Sequence, residues 1–166
     1  MPGEGPLLTI AEISVALAGF SAVVIALRGA GPHAWSAQDR FGLGNVLAAS
    51  VGTLLGSLLP FPLAALGWSL EAVWSVSNAV VALLVLGSVG FLARASTQGN
   101  VPPRAPRAFW SFMASGVVVG VALLLAALGV VFPSGPAVLL FALIWGLLAA
   151  FGQLATFVLV TWTGEP

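Results

Sequence analysis

Four side chains in this sequence would have to do chemistry if the apolar stretches that carry them lie in hydrocarbon: the carboxylate of Glu12 and the amides of Asn45, Asn78 and Gln153. In such a medium a carboxylate or amide must find water, a proton, a cation or a hydrogen-bonding neighbour. Glu12 is the one acid placed well inside a long apolar stretch. The chain has no lysine, and its arginines fall outside these stretches, so no cation in the sequence is available to pair with Glu12.

Counting 1.5 Å per helical residue from Leu7 puts Glu12 roughly 7 to 8 Å below one face of the apolar layer, about a quarter of the way across. Asn78 is about 12 Å in from the same face, counted from Leu70, which makes it the nearest amide in depth. Ser75 shares the face of Asn78 one turn earlier, and Ser14 follows Glu12 on an adjacent part of its own stretch. These four residues are expected to form a polar cluster, an ion or proton site, with ordinary interhelical hydrogen bonding as the plainer alternative. Asn45 and Gln153 fall together in the opposite half of the layer as an inner polar pair. Amides in that position fix helix register or line a polar pathway.

Other chemistry is poorly supplied. Cysteine is absent and His33 is the single histidine, so no metal site is expected. No serine or threonine stands in a nucleophile-elbow pattern, and Gly42-x-Gly44 lacks the strand and third glycine of a dinucleotide fingerprint. An enzyme and a bound cofactor are therefore not expected. The net charge is zero and the five arginines form no basic run, which argues against nucleic-acid binding.

The elements that must hold these residues follow from composition. The chain is 60% hydrophobic and 6% charged over 166 residues, far from the ~25% charge of a soluble domain. Five stretches, at about 7–27, 41–66, 70–93, 109–132 and 137–161, are each long enough to cross a hydrocarbon core about 30 Å thick as helix. The expected fold is an all-α integral membrane protein, a single-domain bundle of five transmembrane helices. Alternating short strands, which a membrane barrel needs, are not evident. The N-terminus has no basic residue before the first stretch, unlike a secretory signal, so that stretch is expected to remain as a span.

Arg28 and Arg40 bracket the first loop and Arg94, Arg104 and Arg107 the third, whereas the second and fourth loops carry none. By the positive-inside rule this places the N-terminus outside and the C-terminus in the cytoplasm. Ser36 and Asp39 have capping-box spacing before the second span, Ser69 can cap the third, and Pro106 and Pro136 suit the starts of the last two. Trp35, Trp68, Trp110 and Trp162 stand at span ends, where an indole spans the boundary between oil and water.

Pro60 and Pro62 should kink or break the second span and leave carbonyls short of donors. Gly67-Trp68-Ser69 and Pro133-Ser134-Gly135-Pro136 are expected to make tight hairpins of spans two with three and four with five. Small residues recur at helical spacing: Glu12, Ala16, Gly19 and Ala26 on span one, and Asn45, Ala49, Gly52 and Gly56 on span two. These stripes are expected to face each other or a shared partner. Gly52-x-x-x-Gly56 and Gly116-x-x-x-Gly120 permit close helix contact.

The overall pattern resembles that of small multi-span proteins of bacteria, which implies the bacterial cytoplasmic (inner) membrane and the lipid bilayer as surroundings. The leading expectation is a small homo-oligomer forming a cation or proton channel, with Glu12 as the key carboxylate. The alternatives are a structural or accessory subunit docked on a larger membrane complex, and a transporter of a small solute or lipid.

Overall fold

The computed structural model describes residues 1–29, 37–97, 106–131 and 135–163, and every described element is helical. In chain order these are α1 (Glu4–Gly29), α2 (Ala37–Leu58), α3 (Pro60–Ala65), α4 (Leu70–Thr97), α5 (Pro106–Ala127) and α6 (Pro136–Thr163). Five segments are long and apolar enough to cross a membrane: Glu4–Val24, Phe41–Ala65, Leu70–Thr97, Phe109–Ala127 and Pro136–Ala155. Length and composition thus give the chain the character of an integral membrane protein.

Local chemistry explains the element ends. Pro106 and Pro136 open α5 and α6, where a missing N–H costs nothing because the first turn has no partner for it. Ser69 accepts from the Ala72 amide at 3.3 Å and caps α4, with Glu71 in the first turn against the positive helix end. The expected second span is two helices. Pro60 cannot donate to the carbonyl of Gly56, so α2 stops at Leu58 and α3 restarts at Pro60. Leu59 keeps helical dihedrals (φ −56°, ψ −38°), so the break is an interruption of bonding and not a reversal of the chain. Reversal comes after α3, where Gly67 takes φ +80°, a conformation costly for residues with a Cβ.

α1 packs on α2, α2 packs on α6, and α4 packs on α5; α3 leans on α4. α1 also touches α6 but, among the described residues, not α4 or α5. It therefore lies at the edge of the bundle. The principal partner of α5 is α4, and α5 also meets α6. Residues 132–134 of their connection lie outside the described residues. So do Ser36, His33, Trp35, and the side chains of Asp39, Trp162 and every arginine except Arg94.

Depth register can be read from glycine contacts. Gly56 of α2 faces Val81 of α4 and Leu143 of α6, while Gly3, before α1, meets Pro136 and Leu140 of α6. Asn78, one turn from Val81 toward the N-terminal end, is therefore level with the first turn of α1. Glu12 lies about one and a half to two turns deeper.

Candidate functional site

α1 has two opposed faces, and the helical period decides which residues share each. Leu7, Ile10, Ala11, Ser14, Leu17 and Ser21 are buried against the bundle. Gly5, Thr9, Glu12, Ala16, Gly19, Val23 and Ala26 are all exposed and follow one another at spacings of four and three residues, a heptad seam on the far side. Glu12 is the ninth residue of the 21-residue apolar segment Glu4–Val24. It is thus nearer the middle of the span than a count from Leu7 implied, because the helix begins earlier, at Glu4. Its carboxylate makes no hydrogen bond or ion pair with any described residue.

The expected cluster of Glu12, Ser14, Ser75 and Asn78 is not brought together within one chain. Ser14 points into the bundle, about half a turn round from Glu12, and donates to the Ile10 carbonyl at 2.8 Å. Asn78 is fully buried on α4, a helix that α1 does not touch, and Ser75 is part-buried on that same helix. The sequence count erred because it gave every span the same starting plane and could not place α1 at the edge.

The inner polar pair is assembled. Asn45 Nδ2 donates to Gln153 Oε1 at 2.6 Å, tying α2 to α6. The two residues form one end of a cleft of about 110 Å³ between α2, α4, α5 and α6, whose other polar lining is Thr53 and Ser88 and whose aromatic wall includes Trp145. That volume is large enough for several water molecules. Trp145 stacks on Phe112 at 4.8 Å between ring centres and donates through its indole N–H to Ser115. Thr53, Ser88, Trp145 and Gly146 were not singled out from the sequence, since each sits alone in an apolar run. The signal available for Thr53 and Gly146 was their small size, which lets the helices meet with Thr53 Oγ1 only 2.9 Å from where a Gly146 Cβ would stand.

The five glycines expected at helix contacts divide. A Cβ on Gly120 would stand 2.6 Å from Leu86, one on Gly116 would stand 2.8 Å from Val89, and one on Gly56 would stand 2.9 Å from Leu143. These three are packing positions. Gly19 and Gly52 have nothing within 4 Å of the same point. The span-one stripe of Glu12, Ala16, Gly19 and Ala26 therefore does not face the span-two stripe; it faces away from the bundle.

Among the described residues no group of three His, Cys, Asp or Glu side chains is placed to hold a metal ion. No protein-family model, curated protein or solved structure matches the chain.

Proposed function

We propose that the protein self-associates through α1 and that the Glu12 carboxylates gathered at that contact line a pathway for cations or protons. The observation that carries this reading is the outward placement of Glu12 on an unpartnered seam of small residues, well inside a membrane-length helix. An ionised carboxylate facing lipid near mid-span costs about 2.5 to 3.5 kcal/mol or more, so that face is the one a partner should cover. The heptad spacing of Gly5, Thr9, Glu12, Ala16, Gly19, Val23 and Ala26 suits a left-handed crossing, and the small side chains let backbones approach. Copies of one chain related by rotation place the same residue around one axis, which turns a single acid into an acidic ring. Rings of this kind favour cations. With the N-terminus outside, as the arginine-bearing loops suggest, the ring lies in the outer half of the bilayer.

The test is flux through purified protein in liposomes under Na⁺, K⁺ and proton gradients, together with its oligomeric state. Wild type is expected to conduct and Glu12→Gln to lose at least tenfold. Equal leakage by the two sinks the reading, and fixed-ratio co-purification with an unrelated membrane protein would instead make α1 the docking face of an accessory subunit.

The cleft beside Asn45 and Gln153 supports a second reading, a site for a small uncharged solute held by the amide pair. Saturable perturbation of Trp145 fluorescence by such a solute, lost in Asn45→Leu, would favour it over the first.

A further inference from the structure

Seven polar side chains are buried among the described residues, and six of them are accounted for. Ser14, Ser21, Ser50, Thr53, Ser57 and Ser77 each donate to a carbonyl of their own helix at 2.7 to 2.9 Å. Asn78 is the exception. It is 0% exposed, and neither Nδ2 nor Oδ1 has a hydrogen-bond partner. An amide left so is costly, and a hydroxyl-style bond to its own helix is not what this residue makes.

A second polar group without its usual donor is held in the same layer. Gly56 packs against Val81, one turn from Asn78, and against Leu143. Its carbonyl runs along α2 toward position 60, where the buried Pro60 has no N–H to offer. The α2–α3 break thus supplies an acceptor, and Asn78 supplies both a donor and an acceptor. We propose that Asn78 and the Gly56 carbonyl form an internal binding site for one neutral molecule of the size of water that both donates and accepts hydrogen bonds. A bare cation does not fit this set: it would satisfy Oδ1 and the carbonyl but leave the two Nδ2 hydrogens facing positive charge, and none of the buried polar residues is acidic. Asn78 lies on α4, which α1 does not contact among the described residues, so this half of the site is separate from the α1 seam.

The test uses the full chain in lipid nanodiscs. Asn78→Leu removes both polar atoms at similar volume. If the amide holds a guest that also serves Gly56, the variant should melt lower by on the order of 2 to 6 °C. If the amide holds nothing, Asn78→Leu should melt at the wild-type temperature or above, which overturns the proposal. Pro60→Ala returns an N–H to Gly56, so the two substitutions should be non-additive in the double variant; strict additivity also overturns it. Proton-detected solid-state NMR reads the guest directly, with water as the probe. A cross-peak from water to the Asn78 side-chain nitrogen, absent in Asn78→Leu, is the expected result, whereas a melting temperature that climbs specifically with Na⁺ or K⁺ would assign a cation and overturn the neutral guest.

Discussion

Asn45 and Gln153 share a hydrogen bond of 2.6 Å although 108 residues separate them in the chain. It is the polar tie between α2 and α6, and it sits at the edge of the cleft those helices share with α4 and α5. Replacing either amide by leucine removes this bond, so Asn45→Leu and Gln153→Leu should each cost about 1 kcal/mol, and the double substitution less than their sum. Thermal melts of the four proteins in one detergent check this; additive losses would show that the bond carries no coupling.

The exposed seam of α1 gives a prediction of the opposite kind. Ala16→Leu and Gly19→Leu add bulk on an exposed face where no described residue meets it, so the protein's melting temperature should hold while the proposed oligomer dissociates. Ala11→Leu on the buried face should lower the melting temperature instead, by overpacking of about 1 to 3 kcal/mol. Native mass spectrometry read beside thermal melts separates the two effects. An oligomer that survives both seam substitutions would remove α1 from the interface.

Gly120 and Gly116 are where α5 and α4 close on each other. A methyl at Gly120 meets both Cγ and Cδ2 of Leu86 at 2.6 Å, and Cγ cannot retreat without moving the whole side chain. Gly120→Ala should therefore destabilise by about 1 to 3 kcal/mol. Gly52→Ala, with open space at its Cβ, should be neutral or gain a few tenths of a kcal/mol from helix propensity. The comparison of the two melts is the check.

Gly67 and Gly129 hold φ +80° and +65° at the ends of α3 and α5. At Gly129 the left-handed turn lets the Gly129 and Val130 amides bond to Ala126 and Leu125 and close the helix. Alanine at either site should cost about 1 kcal/mol, from backbone conformation and not from crowding. Substitution by asparagine, which tolerates this region better, should recover part of the loss. Equal melts for the alanine and asparagine variants would argue against the backbone account.

Helix identity was legible because the apolar runs are long enough to admit nothing else, and Pro60, Ser69, Pro106 and Pro136 marked their ends by chemistry that acts within one turn. The Asn45–Gln153 pair was legible for a related reason: both lie near the same end of their spans, Asn45 fifth from the start of Phe41–Ala65 and Gln153 third from the end of Pro136–Ala155, so depth alone brings them level. Glu12 and Asn78 failed that test. Their depths depend on where α1 begins and how it slides on α6, and their directions depend on which helices are neighbours, which the contacts of Gly3 and Gly56 settle and no local pattern encodes. Glycine spacing had the same weakness, since Gly52 and Gly56 read alike in the sequence while only Gly56 meets another helix.

The pairing of α2 with α6 also has a consequence for biosynthesis. The amide of Asn45 is made long before Gln153 is polymerised, so through most of translation the acceptor it uses in the folded chain does not yet exist. The insertion machinery, water at the lateral exit or a neighbouring nascent chain must serve it in the interval. A ribosome stalled before α6 therefore leaves behind a product whose second helix has α1 beside it but not yet α6.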